Sequence, residues 1–146
     1  MKSQFLIRPV GIVDAIDCFE VWQLSQGRSS YGVSLLEDLL QQQVNCVHVG
    51  AFTESRKQAI GWVTLGWVGR YGKLVSLFVH PQYRSAGLGR QLVRNVIDTA
   101  IDKSLAQVDL EVAIENNVAR KLYKQSGFKQ IGSSPHHQQY RCFLPE

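Results

Sequence analysis

The run Leu77-Phe78-Val79-His80-Pro81-Gln82-Tyr83-Arg84-Ser85-Ala86-Gly87-Leu88-Gly89-Arg90 constrains this chain more than any other. An apolar strand stops at a proline, a short loop follows, and a glycine-punctuated turn opens a long helix. That helix is expected over Leu88 to Lys103, where Val93, Val96, Ile97, Ala100 and Ile101 recur at helical spacing. The first backbone N–H groups of a helix have no intrahelical partner, and the helix dipole adds partial positive charge there. Gly87 and Gly89 would let a ligand approach the backbone without a Cβ in the way, and Arg84 and Arg90 add full charges. Arg84, Ser85, Ala86, Gly87, Leu88, Gly89 and Arg90 together read as a pyrophosphate site.

Around this segment the pattern is that of an α/β chain. Phe5 to Arg8 reads as a strand stopped by Pro9. Ile12, Ile16, Phe19 and Trp22 mark a helix ended by Gly27, and Leu35, Leu36, Leu39 and Leu40 mark a second, with Ser34 as its N-cap. Val44 to Phe52 and Ala59 to Val68 are expected to pair as a hairpin. Gly69-Arg70-Tyr71-Gly72 then turns the chain into a third strand, Lys73 to His80. After the long helix come a strand over Val108 to Ile114 and a short helix over Val118 to Ser126. Gly127 closes that helix as a left-handed C′ residue, and two last strands follow, Phe128 to Ile131 and Tyr140 to Leu144. The expected order is β-α-α-β-β-β-α-β-α-β-β, a mixed sheet with helices packed on it. The 146 residues show no repeat and no linker, which gives a single domain over 1–146.

Composition and motif spacing exclude several classes. A formal charge of +4 comes from dispersed lysines and arginines, which suits an anionic ligand but lacks the dense basic stripe of a nucleic-acid binder. No apolar run is long enough to span a bilayer, and no secretory h-region precedes Phe5. Cys18, Cys46 and Cys142 share no metal-ligand spacing and read as reduced thiols. A cytoplasmic protein without metal is the expectation, and His136-His137 does not alter it, because neighbours in a strand point opposite ways. No P-loop string is present. The dinucleotide fingerprint fails because Leu92 stands at its third glycine and the motif follows a meander rather than opening a βαβ unit.

Arg84-Ser85-Ala86-Gly87-Leu88-Gly89 resembles the R/Q-x-x-G-x-G/A motif of the GCN5-related N-acetyltransferase (GNAT) superfamily. Leu77-Phe78-Val79-His80-Pro81 is similar to its central strand. A second string, Asn116-Asn117-Val118-Ala119-Arg120-Lys121-Leu122-Tyr123 followed by Gly127-Phe128, is similar to its N-x-x-A-x-x-x-Y-x-x-x-G-F helix. The resemblance implies the acyl-CoA N-acyltransferase fold and transfer of an acetyl group from acetyl-CoA, without metal, to an amine. It implies that the pantetheine arm pairs with the strand backbone at Phe78 and Val79, whose amides polarise the thioester carbonyl. It further implies that Asn116 bonds that arm and that Tyr123 is the general acid for the leaving thiolate. A homodimer is also among its expectations.

An aliphatic amine with a pKa near 10 is mostly protonated at neutral pH, so a base is needed. Lys73 to His80 contains no carboxylate. Glu111, in Leu110-Glu111-Val112, is the better candidate and resembles the L-E-V…N…Y pattern of the ribosomal-protein N-terminal acetyltransferases, although Ala113 stands where those carry arginine. Glu115 and His80 are weaker candidates. The family's acceptor pocket would here draw on Trp22, on Gln26 to Tyr31 and on the His136 to Tyr140 loop. The acceptor stays open between a small-molecule amine and a peptide amine. The competing reading is a non-catalytic acyl-CoA sensor.

Overall fold

The central strands β2 (Cys46–Thr53) and β3 (Ala59–Val68) are buried on both faces, whereas β5 (Gln107–Ala113) alternates between buried and outward residues, and together they build one mixed sheet. The structure, a computed structural model, describes residues 5–10, 45–54, 59–84 and 87–145. Its strands are β1 (Phe5–Pro9), β2 (Cys46–Thr53), β3 (Ala59–Val68), β4 (Tyr71–Val79), β5 (Gln107–Ala113), β6 (Lys129–Ser133) and β7 (His137–Phe143). Two helices are described, α1 (Leu88–Asp102) and α2 (Asn117–Gln125), with a single 3-10 turn at Pro81–Tyr83. The two helices expected between β1 and β2, the tail of the sequence before Phe5, and Cys18 lie outside the described residues.

The strands run in the order β1-β2-β3-β4-β5-β7-β6. All neighbours are antiparallel except β4 and β5, which are parallel and joined through α1. β1 continues through Pro9, which pairs with Val49. Proline is tolerated there because β1 has no other partner among the described residues. The turn before β4 is only Gly69-Arg70, with Gly69 at φ 59°, so Tyr71 and Gly72 join the strand rather than the turn. β7 begins at His137, before the expected Tyr140, because its residues back to His137 find partners on β5.

α1 buries Leu88, Leu92, Val93, Val96 and Ala100 against Ile60, Val63 and Leu65 of β3, Leu74 of β4 and Val108, Leu110 and Val112 of β5. Fully burying a side chain of this size contributes about 1.5–3 kcal/mol, so this one helix face anchors the middle of the sheet. The other sheet face carries Phe52, Trp62 and Phe78, also buried. Trp62 and Phe78 are register partners with ring centroids 4.7 Å apart.

Candidate active site

The site begins with a fault in the sheet. Thr64 pairs with Ser76, but the next residue of β3, Leu65, pairs with Leu74, so Val75 has no partner and forms a bulge. A bulge bends the strand and increases its twist. The parallel pairing of β4 with β5 covers only Tyr71, Gly72 and Lys73, against Gln107, Val108 and Asp109. Beyond that rung the strands separate. The His80 N–H donates to Ile60 O at 2.7 Å, so His80 is a hydrogen-bonded pair residue on the β3 side. In an antiparallel ladder such pairs alternate. Phe78 therefore also turns its amide to β3, whereas Val79 turns its N–H and carbonyl into the gap. Of the two amides expected there, geometry leaves Val79. Its carbonyl accepts from Arg84 Nε at 3.1 Å.

The N-terminus of α1 lies beside this strand end. Gly87 is its N-cap at φ 79°, ψ 8°, with no side-chain cap and no acidic residue in the first turn. Among the described residues no side chain caps the first turn's amides, and Arg90 adds a cation at the positive end of the dipole. Arg90 Nη2 donates to Gln125 Oε1 at 2.9 Å, which ties α1 to α2. A Cβ on Gly87 would meet nothing within 4 Å. Its need for glycine is the left-handed backbone, and the space beyond it is open to a ligand. Gly89 differs from the expectation. A Cβ there would meet Leu122 Cδ2 at 3.3 Å and Val79 Cγ2 at 3.9 Å. It faces the protein, and its smallness lets α1, α2 and β4 meet closely. Leu88 is a core residue, 1% exposed, so only its backbone is offered to the site. Ser85 and Ala86 lie outside the described residues.

α2 is delimited at both ends by hydrogen bonds that the sequence motif encodes. Asn116 is its N-cap, with Oδ1 accepting from Ala119 N at 3.2 Å. The amide nitrogen of Asn116 is left to donate outward. At the other end Phe128 N donates to Tyr123 O at 3.0 Å and Gly127 N to Lys124 O at 3.3 Å, with Gly127 at φ 97°. This is a Schellman motif, and its usual apolar contact is the edge-on packing of Tyr123 and Phe128, centroids 5.8 Å apart. Tyr123 is thereby fixed in the α1-side core, 6% exposed. Burial alone pushes its hydroxyl up to about 12, and the hydroxyl has no hydrogen-bond partner among the described residues.

Glu111 is exposed and lies on the sheet face away from α1, since Val108, Leu110 and Val112 take the buried face. It sits two residues past the last β4–β5 rung, on the flank of the gap. Glu111 and Tyr123 therefore lie on opposite faces of the sheet, Tyr123 in the core on the α1 side. Glu115 is exposed in the turn before α2. His80 Nδ1 accepts from Gln82 N at 3.1 Å, which leaves Nε2 to carry the proton in the neutral ring. That tautomer donates into its surroundings and does not serve as a base at Nε2. His136 is exposed in a bend and His137 opens β7. Among the described residues no group of three His, Cys, Asp or Glu could hold a metal ion, and no helix is long and apolar enough to cross a membrane.

The sequence profile of the acetyltransferase (GNAT) family matches residues 15–128. The chain belongs to the GNAT family. Among relatives, the thialysine N-epsilon-acetyltransferase of Bos taurus is 32% identical over 77 residues, which covers 53% of this GNAT chain and 44% of that protein. The chain thus spans under half the length of such relatives. Two solved GNAT structures share the fold. One is the PaiA N-acetyltransferase of Thermoplasma acidophilum in complex with coenzyme A, at TM-score 0.81 and 21% identity, covering 97% of this chain and 99% of that one. The other is the ribosomal-protein-S18-alanine N-acetyltransferase of Escherichia coli, at TM-score 0.84 and 17% identity, covering 98% and 96%.

Two supports of this GNAT site escaped the motifs. Arg120 of α2 donates from Nε to Gln138 Oε1, and from Nη1 to Ile114 O and Asn117 Oδ1, each at 3.0 Å. Gln138 Oε1 also accepts from the Tyr140 hydroxyl at 2.6 Å. These bonds tie α2, and with it Tyr123, to β7 and to the turn that follows β5. On the other face Arg141 grips Asp109 bidentately at 2.8 and 2.9 Å, holding β5 to β7 beside the last rung. The Asp109 bond raises the Arg141 guanidinium's already high pKa. Only the charges of Arg120, Asp109 and Arg141 were visible in the sequence. Their partners are set by register.

Proposed function

We propose that this GNAT chain transfers an acetyl group from acetyl-CoA to a primary amine by direct attack, with both molecules bound at once. The observation that carries the reading is the Val79 amide aimed into the gap between β4 and β5, beside the open N-terminus of α1. Both features fit acetyl-CoA: an extended amide-bearing arm can pair with a free strand edge, and a pyrophosphate suits an uncapped helix start. Bound there, acetyl-CoA supplies an acyl group activated as a thioester.

In this reading Arg84, Ser85, Ala86, Gly87, Leu88, Gly89 and Arg90 hold the pyrophosphate through backbone N–H groups and the two guanidiniums. Val79 N–H meets the charge that grows on the carbonyl oxygen, in a fixed orientation that needs no reorganisation. The outward amide of Asn116 bonds the arm. Glu111, on the opposite face, takes the proton of the amine directly or through water, so the acceptor enters from that side. Tyr123 protonates the leaving thiolate. A tyrosine hydroxyl is protonated at neutral pH, as an acid must be, and burial, which raises its pKa, leaves it so. Residues 1–146 act as one domain, a reading supported by near-complete mutual coverage with the solved GNAT chains. A cytoplasmic location is the reading that three scattered cysteines, odd in number and without a C-x-x-C pair, support.

The test is release of free thiol from acetyl-CoA with a panel of thialysine, lysine, spermidine and peptides with free N-terminal alanine. Thialysine and the alanine peptides probe the acceptors named for relatives. Release above hydrolysis with one class establishes the activity. No release, with a rise in melting temperature on adding acetyl-CoA, would favour the sensor reading. Neither effect would overturn the proposal.

A further inference from the structure

On the sheet face away from α1, three residues of successive strands stand side by side. Glu111 of β5 pairs with Gln139 of β7, and Gln139 pairs with Gly132 of β6. The Gln139 amide donates from Nε2 to Glu111 Oε1 at 3.4 Å. Its oxygen occupies the space a side chain on β6 would fill: a Cβ on Gly132 would stand 3.0 Å from Gln139 Oε1. The register of β6 makes that seat. Pairing jumps from Gln130 to Gly132, so Ile131 is bulged out and 46% exposed. Without the bulge, Ile131 would oppose Gln139 and its side chain would take the place of the amide.

An exposed carboxylate on a strand samples several rotamers, and each misplacement of a base slows proton removal. A half-buried glutamine, seated on one side by glycine, donates to one carboxylate oxygen and leaves the other free to accept a proton. We infer that Gln139, seated over Gly132, is a positioning residue that holds Glu111 at the mouth of the gap. The inference rests on the proposed role of Glu111 as base.

A double-mutant cycle on the full chain tests it, with acetyl-CoA and the panel amine of highest wild-type rate. Gln139→Ala is expected to lower kcat about tenfold while KM for acetyl-CoA changes by less than about twofold. Gly132→Ala is expected to lower kcat in the same way by displacing the amide, and to have no further effect in the Gln139→Ala background. Melting temperatures establish that each variant is folded. A Gln139→Ala kcat equal to wild type, or fully additive losses in the double variant, overturns the inference, while a slow Glu111→Gln variant leaves the base assignment standing. If Glu111→Gln turns over like wild type, the base assignment itself falls, and the inference with it.

Discussion

Tyr123 offers a test in which stability and chemistry separate by pH. The residue is buried, its hydroxyl has no hydrogen-bond partner among the described residues, and desolvation raises its pKa from 10.0 to about 12. Below pH 10 the hydroxyl is protonated in both folded and unfolded chains, and the raised value has no effect on stability. Between pH 10 and 12 the unfolded chain releases the proton while the folded one retains it, so stability falls. Two units at about 1.4 kcal/mol each give a loss of about 3 kcal/mol across that window. Tyr123→Phe has no proton to lose. At pH 7 the substitution removes a hydroxyl that bonds nothing among the described residues, so stability should stay within about 1 kcal/mol of wild type. Guanidinium unfolding of both proteins at pH 7, 10 and 11 gives the difference. The gap should move in favour of the phenylalanine variant by about half the full amount by pH 11. At pH 7 the same variant should turn over at least about a hundredfold more slowly, with unchanged affinity for acetyl-CoA. Parallel loss of stability in the two proteins would mean that the hydroxyl ionises as in water and refute the raised pKa, whereas an unchanged rate for Tyr123→Phe would remove it as the acid.

Other substitutions probe the frame. Gly87→Glu places bulk and negative charge in the open space at the start of α1, and should abolish acetyl-CoA binding by calorimetry; retained binding would refute the pyrophosphate assignment. Gly127→Ala forces a side chain onto φ 97° and should cost about 1–2 kcal/mol in denaturant unfolding, with a fall in kcat because Tyr123 loses its Schellman anchor. Gly61→Ala would set a Cβ 2.8 Å from Phe78 O, and should lower stability by about 1–3 kcal/mol and weaken acetyl-CoA binding by displacing the end of β4. Glu111→Gln should lower kcat about a hundredfold or more, with little change in acetyl-CoA affinity; an unchanged kcat points to a water chain.

The parts of the site legible in the sequence are those whose cause is local. The spacing of Asn116, Tyr123, Gly127 and Phe128 encodes an N-cap, a helix and a Schellman end, so α2 could be placed from its own residues. Gly87 before Leu88 likewise marks a helix start. What stayed hidden depends on a partner strand. Lys73 to Leu77 sets two apolar residues, Leu74 and Val75, side by side, which a strand buried on both faces would also show, and only β3 decides that Val75 is looped out. The direction of the Phe78 and Val79 amides follows from that same pairing. Gly89 reads in the sequence as a second opening for a ligand, but Leu122 of α2 packs against it. The glutamines after His137 read as a polar loop, although β5 draws them into a strand and gives Gln138 and Gln139 different tasks on its two faces. Acceptor residues expected at Trp22 and Gln26 to Tyr31 lie outside the described residues.

The three-rung junction of β4 with β5 has a mechanical consequence. The meander β1-β2-β3-β4 and the trio β5-β7-β6 behave as two plates riveted at one corner, with α1 as the strap across them. A molecule that lies along the free edge of β4 completes the seam as a temporary strand. Filling the site and stiffening the sheet are then one event, and slowed hydrogen exchange at the Val79 amide would register both at once.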